Sequence, residues 1–198
     1  MRIIALTGGI ACGKTTISGM LEKLGARIVD ADGISRSLTA PGGKGLPAVR
    51  EAFGDGVFAP DGTLDRAALA KVIFSDEAQR EKLNAILHPM VHAEMESQIE
   101  ACRRDGTKVV ILDVPLLFEA GMQHMGDEIA CACAPEEVQI QRLASRNGYG
   151  REEALGRIRS QWPLEEKKRL SDIVIDTNLP LCDLEREVCA LYDRWANS

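Results

Sequence analysis

Eight residues near the amino terminus restrict this chain more than any other feature. Gly8-Gly9-Ile10-Ala11-Cys12-Gly13-Lys14-Thr15 matches G-x-x-x-x-G-K-[ST] at every fixed position. An apolar run, Ile3–Leu6, leads into it, and a helical pattern from about Lys14 to Leu24 leads out. Glycines let the backbone curl so that successive N–H groups face one anion. The following helix adds the positive end of its dipole. In such a loop the lysine reaches the β- and γ-phosphates of a nucleotide and the Thr15 hydroxyl ligates Mg²⁺. A dinucleotide loop would need G-x-G-x-x-G, which this stretch lacks. A chance glycine-rich turn is the bland alternative, and the strand–loop–helix context argues against it.

The pattern along the chain indicates an α/β fold. Arg2–Leu6, Arg27–Val29, Lys108–Val114, Glu128–Cys133 and Ile173–Ile175 read as short, nearly continuous apolar strands separated by helices. Strands of that kind form a parallel sheet covered on both faces, with ligands at the carboxyl ends. Residues 33–104 interrupt the rhythm with Pro41-Gly42-Gly43, a turn at Asp61-Gly62, and helical patterns after Asp65 and Asp76. Pro89 to Arg104 reads as a further helix with proline in its first turn. A second excursion, between Arg142 and Ser171, carries a loop at Asn147–Gly150 and a helix from Arg151 to Gln161. The expected organisation is a parallel-sheet P-loop NTPase core interrupted by a helical insertion at 33–104 and by this second excursion.

Charge and composition narrow the function. With 24 Lys and Arg against 30 Asp and Glu the formal charge is −6, the opposite of what a general nucleic-acid binder carries. Only 4% of residues are aromatic, too few for base-stacking platforms. Apolar residues at 45% exclude disorder for most of the chain. No apolar run approaches the length of a membrane span, and the amino terminus reads as a strand rather than a leader. The six cysteines show no Cys-x-x-Cys pair, so free thiols in a cytoplasmic protein are expected and zinc is not. Cys131 and Cys133 alternate along an apolar run and fit strand packing. Cys12, at a helix start near Lys14, either has a favoured thiolate whose oxidation weakens nucleotide binding, or packs as a small apolar side chain.

The charge is unevenly spread. From Arg142 to Arg169 the balance is +4, leaving −10 elsewhere. A solvated helical face accounts for Lys167 and Lys168. Arg142 and Arg146 lie one turn apart on a helix, and a basic lid closing over a nucleotide would use such arginines against charge on a transferring phosphoryl group. A carboxylate must also orient the acceptor hydroxyl. Asp32, at the end of the second strand, is the candidate base, and Asp30 can instead cap the next segment. Asp113, ending the most apolar strand, either holds Mg²⁺ directly or through water, or simply begins a turn. A GTPase switch is the reading from another class. Asp30-Ala31-Asp32-Gly33 fits D-x-x-G, but no asparagine is followed by lysine, so the guanine-reading Asn-Lys-x-Asp is absent.

Taken with their spacing, these residues resemble the dephospho-coenzyme A kinase family over almost the whole chain. The matching segments include Leu6–Ile10, Gly13-Lys14-Thr15-Thr16, Asp30-Ala31-Asp32, Phe53-Gly54, Asp61-Gly62, Leu64-Asp65-Arg66 with Leu69, and His88-Pro89. Most specific is Asp113-Val114-Pro115-Leu116-Leu117-Phe118-Glu119, followed by Gln139, Arg142, Arg146, Gln161 and Asp172. The resemblance implies transfer of the γ-phosphoryl of ATP to the ribose 3′-hydroxyl of dephospho-coenzyme A, the last step of coenzyme A synthesis, with Mg²⁺. It implies a nucleotide-binding core of residues 1–32, 105–145 and 171–198, an acceptor-binding insertion at 33–104 and a lid at 146–170, with Asp32 as base and Lys14, Arg142 and Arg146 on the transferring group. ATP phosphates would lie on Gly8, Gly9, Ala11, Cys12, Gly13, Lys14, Thr15 and Thr16, and Mg²⁺ on Thr15 and Asp113. Thr7, Asp32, His88, Pro115 and Leu116 would face the acceptor, although proline at a helix start explains His88-Pro89 equally well. Implied partners are ATP and dephospho-coenzyme A, with neither nucleic acid nor membrane, for a monomer or weak homo-oligomer. Three places depart from the family's usual pattern: the loop, with Ala11-Cys12 in place of Gly-Ser and Thr15 in place of Ser; Asn147 in place of Asp; and Thr177-Asn178-Leu179-Pro180, which lacks the glycine that usually follows the last core strand.

Overall fold

A computed structural model describes residues 1–198, the side chain of Phe74 excepted. The chain forms β1 (Arg2–Gly8), α1 (Lys14–Lys23), β2 (Arg27–Asp30), α2 (Ala31–Leu38), α3 (Leu46–Phe53), α4 (Arg66–Ser75), α5 (Glu77–Arg104), β3 (Val109–Asp113), β4 (Glu128–Cys133), α6 (Glu136–Asn147), α7 (Arg151–Arg159), α8 (Leu164–Arg169), β5 (Ile173–Asp176) and α9 (Leu181–Ala196). The strands make one sheet in the order β2-β3-β1-β4-β5. β1 pairs in parallel with β3 and with β4, placing Leu6 beside Asp113 and Gly8 beside Ala132. The apolar runs are strands because both their faces are covered: Ile4, Ala5, Leu6, Val109–Leu112, Ala130, Cys131 and Ala132 are all fully buried.

Two compact units result, Met1–Val29 with Ala101–Ser198, and Asp30–Glu100. In the first, α1 and α9 bring Ile17, Leu21, Leu184, Val188 and Trp195 onto one face of the sheet. Glu128 at the start of β4 takes hydrogen bonds from Arg2, Arg194 and the Trp195 indole, tying both chain ends to the sheet. In the second, Val49, Val57, Leu69, Leu83 and Leu87 form a separate small core. Asp65 caps α4 by accepting from Ala67 N at 3.0 Å and Ala68 N at 2.9 Å. Asp61-Gly62 is the expected turn, with Phe58 and Leu64 bridged across it.

The expectation of a new helix at Pro89 is corrected. α5 runs unbroken from Glu77 to Arg104 with Pro89 inside it. The proline removes the N–H that would meet the Ala85 carbonyl, but both residues are exposed, so water can serve that oxygen. A stripe at four-residue spacing (Leu83, Leu87, Val91, Met95, Ile99) is buried on both sides of the proline. Packing of that stripe outweighs one missing bond. The helix expected to reach Gln161 stops at Arg159, and α8 follows as a separate short helix.

Two aspartates set strand ends. Asp127 Oδ2 accepts from Ile3 N, and Asp172 Oδ2 accepts from Ile129 N, each at 2.8 Å. The second fixes the point where β5 joins β4. Asp172→Ala is expected to cost about 1 kcal/mol, read in thermal unfolding as a fall of roughly 2–4 °C in Tm, with Asp172→Asn restoring most of it.

Candidate active site

The loop begins where β1 leaves the sheet. A Cβ at Gly8 would lie 2.5 Å from the Ala132 carbonyl oxygen, so only glycine fits beside β4. At the other end Gly13, with φ 77°, starts α1 without any side-chain cap. Between them Cys12 N donates to Gly9 O at 3.1 Å, and Ile10 N donates to Gln161 Oε1 at 2.9 Å. Among the described residues, the amides of Ala11, Gly13, Lys14 and Thr15 have no partner within the chain. These four N–H groups, on a tight turn leading into a ten-residue helix, are the anion-binding surface the motif requires.

Three consecutive loop residues are each held from outside. Gln161, in the connector between α7 and α8, takes the Ile10 N–H. Arg142 on α6 donates to Ala11 O at 3.1 Å, to Thr177 Oγ1 at 2.9 Å and to Thr177 O at 2.8 Å. Thr177, just past β5, places its hydroxyl 2.9 Å from Cys12 O and 3.1 Å from Cys133 O. Ala11 needs this support, because its φ of 58° lies in the left-handed region that glycine enters freely and alanine does not. The substitution of alanine for the usual glycine thus keeps the loop's shape at the cost of strain, and Arg142 and Thr177 hold it there. Arg142 is a loop brace in this structure. Arg146, one turn further, is exposed and, among the described residues, bonds only to Asn147 Oδ1 at 2.9 Å.

Beneath the loop, Lys14 Nζ pairs with Asp113 Oδ1, and Ser18 Oγ donates to Asp113 Oδ2 at 2.6 Å. The register that aligns Leu6 with Asp113 makes this meeting possible. Asp113 is therefore more than a turn residue: it is 7% exposed and doubly bonded. Thr15 is exposed at the first turn of α1. Thr7 is wholly buried and donates its hydroxyl to Pro115 O at 3.1 Å, so it shapes the segment after β3. Leu116, by contrast, is 45% exposed. Asp32 lies in the first turn of α2, two residues beyond β2, and is exposed. Asp30 stands at the N-cap position of α2 without capping it and meets Arg36 instead, at 3.3 Å. His88 is exposed in the middle of α5. Asp32 and His88 belong to the second compact unit, and the loop, Lys14, Asp113 and Arg142 to the first.

The solvated-face expectation for Lys167 is overturned. Its side chain is fully buried, with Nζ 2.7 Å from Glu119 Oε1 and 3.3 Å from Pro115 O. Glu119 Oε1 also accepts from Trp162 N at 3.0 Å, and the Trp162 ring stacks on Phe118, 6.2 Å between centroids. A charge run in sequence hides which member turns inward; the nearby acid on a different element was the missing information. The neighbours behave as expected, Lys168 pairing with Glu165 and Arg169 with Glu166 on the surface. Thr177 was also missed, because nothing in a lone threonine after a strand marks it as a hub. Gly9, Ile10, Gln139, Gln161 and Leu164 help line a cavity of about 470 Å³ between the loop, the start of α6 and the α7–α8 connector.

Cys12 resolves to its apolar alternative. It is 1% exposed, and burial pushes the thiol up to about 11 in spite of the Ala134 and Gly9 amides that favour the thiolate. The helix start and Lys14 do not outweigh desolvation. Burial likewise pushes Cys131 up to about 12.

An uncapped nest at the carboxyl end of a parallel sheet, backed by a lysine–aspartate pair and lacking a guanine-reading motif, places the molecule among the phosphate-loop kinases. The dephospho-CoA kinase family profile matches residues 2–183. A dephospho-CoA kinase of Geobacillus kaustophilus is 42% identical over 192 residues, covering 97% of this chain and 96% of that protein. The Thermus thermophilus protein TT1252 superposes with a TM-score of 0.83 at 33% identity, covering 98% of this chain and 97% of its own. A Campylobacter jejuni dephospho-CoA kinase shares the fold, with a TM-score of 0.75 at 22% identity over 98% of this chain and 97% of its own. The chain belongs to the dephospho-CoA kinase family.

The thiol environments make a direct prediction. With iodoacetamide at pH 8, peptide mass spectrometry of the native protein should find Cys182 and Cys189, both exposed, alkylated and Cys12 unmodified. Rapid labelling of Cys12 would contradict its buried, raised-pKa environment.

Proposed function

We propose that this protein transfers the γ-phosphoryl group of ATP to the ribose 3′-hydroxyl of dephospho-coenzyme A, giving coenzyme A. The observation that carries the reading is the set of unpartnered amides at Ala11, Gly13, Lys14 and Thr15 beside the Lys14 ammonium, in a chain of this family. Phosphoryl transfer asks a protein mainly to position reactants and stabilise charge. The amides cradle the phosphate chain, with Gly8, Gly9, Cys12 and Thr16 fixing its walls, and Lys14 neutralises the phosphates. Arg142 acts through the loop it braces, and Arg146, with its guanidinium open to solvent, is the arginine available to a transferring phosphoryl group.

Mg²⁺ fits the donors present. The exposed Thr15 hydroxyl and the Asp113 carboxylate are hard oxygen ligands, suited to an ion that keeps waters and takes phosphate oxygens rather than one held in a protein cage. Bound there, the ion would offset charge on the phosphates. Asp32 serves as the base that orients the acceptor hydroxyl and takes its proton. Residues 33–104 supply the acceptor-binding insertion and 146–170 the lid, with His88, Pro115 and Leu116 on the acceptor side and Thr7 holding Pro115 in place. Six free cysteines and a net charge of −6 support a cytoplasmic enzyme acting on small anionic substrates without nucleic acid, as a monomer or weak homo-oligomer. Among the described residues no helix is long and apolar enough to cross a membrane.

ADP release from Mg-ATP should be stimulated by dephospho-coenzyme A and not by AMP or dTMP. Hydrolysis independent of acceptor, or no stimulation by dephospho-coenzyme A, would overturn the assignment. Asp32→Asn should lower turnover by about 10²–10⁴-fold, the usual worth of a general base, while ATP affinity stays within twofold or so. Near-native turnover in that variant would remove Asp32 from the role.

A further inference from the structure

Gln161 stands in the short connector between α7, which ends at Arg159, and α8, which begins at Leu164. Its side-chain carbonyl accepts the Ile10 N–H at 2.9 Å across 151 residues of sequence. Of the loop amides from Ile10 to Thr15, only those of Ile10 and Cys12 have partners within the described chain. Cys12 is closed by the loop itself, through Gly9 O, so Gln161 is the one outside partner bonded directly to one of these N–H groups, while Arg142 and Thr177 hold the carbonyls of Ala11 and Cys12. The connector is itself anchored. Trp162 N donates to Glu119 Oε1 at 3.0 Å, and Lys167 is buried against the same carboxylate. The side chains of Ile10 and Ala11 pack on Ile140, Leu143 and Ala154 of α6 and α7, so the loop also shares a small apolar cluster with the helix that precedes the connector.

We propose that Gln161 is a positioning residue for nucleotide binding: by holding the Ile10 N–H it sets the turn from which the Ala11, Gly13, Lys14 and Thr15 amides open, and so couples residues 151–169 to the phosphate nest. The inference rests on the reading of this loop as the ATP site. Gln161 meets the loop with an acceptor oxygen, which suits an amide and repels a phosphate oxygen; its role is to shape the nest. Preorganised donors bind an anion more tightly than donors that must first be ordered.

Gln161→Leu keeps the side chain's size and removes the acceptor, whereas Gln161→Glu keeps an oxygen acceptor. In the nucleotide-free protein, amide exchange followed by NMR should quicken at Ile10 in Gln161→Leu and stay slow in Gln161→Glu. KM for ATP in Gln161→Leu should rise about fivefold, the worth of one neutral hydrogen bond, with KM for the acceptor unchanged and Tm within about 2 °C of the parent. Unchanged Ile10 exchange in Gln161→Leu would overturn the proposal, and so would faster exchange with unaltered ATP affinity. A general loss of stability moving both KM values together would reduce Gln161 to a structural residue and overturn it too. If the unmodified protein failed to bind ATP, the nucleotide-site reading would fall and the proposal with it. That outcome is distinct from a parent that binds ATP no better than Gln161→Leu.

Discussion

β1 is hydrogen-bonded along both edges, and this fixes where the chain leaves the sheet. Its register with β3 brings Leu6 level with Asp113, and its register with β4 brings Gly8 against Ala132. A slip of one residue would exchange the two covered faces of β1, moving the fully buried Ile4 and Leu6 into space shaped for Ala5, and would take Gly8 away from the Ala132 carbonyl, beside which a Cβ has no room. From that fixed exit the loop has few paths. Lys14 arrives over Asp113 because only five residues separate β1 from α1, which packs Ile17 and Leu21 back onto the same sheet. The geometry of the site is thus a consequence of sheet register first and of the loop's own sequence second.

The loop itself is a strained turn supported on all sides. Ala11 occupies a backbone conformation that costs an alanine on the order of 1 kcal/mol. Arg142, Thr177 and Gln161 reach it from α6, from beyond β5 and from the α7–α8 connector. A protein of net charge −6 places its interior cations with care: Lys14 on Asp113, Lys167 on Glu119, and Arg142 on backbone carbonyls and a hydroxyl. A cation bound by carbonyl dipoles keeps its full charge beside the nest, which a carboxylate partner would have cancelled. Burying Lys167 without Glu119 would be prohibitive, so the pair fixes the connector's position more than it adds to stability.

Much of this was legible in the sequence, and the reasons differ by element. The loop, the strands and the α/β class could be read because each is written in contiguous residues: glycines at fixed spacing, or apolar runs between turns. Glu128–Cys133 was read with its observed limits, since the apolar run there lies between the charged Asp127-Glu128 and Pro135. Pro89 misled because a local rule, that proline starts or breaks a helix, met a longer stripe of buried side chains extending past it on both sides. Cys12 had two readings because the sequence shows its neighbours along the chain but not the desolvation imposed by β4 and Gln139 around it. Lys167, Thr177 and Ser18 lacked any signal, since each draws its role from a partner far along the chain on another element: Glu119, Cys12 and Asp113. Gln161 and Asp172 were visible as parts of a family pattern, and only the structure gives them physical tasks at the loop and at the edge of β5.

The two tryptophans divide the molecule into a fixed part and a reporting part. Trp195 is 1% exposed in the sheet's core, while Trp162 is 44% exposed, stacked on Phe118 one residue from Gln161. Light absorbed by the first is emitted from a rigid, dry setting, and light absorbed by the second from a ring that shares its face with solvent. Any movement of the connector changes the wetting and the stacking of Trp162 and leaves Trp195 alone. The chain therefore carries its own optical probe of the connector, with an internal reference, and no label need be added to follow it in time.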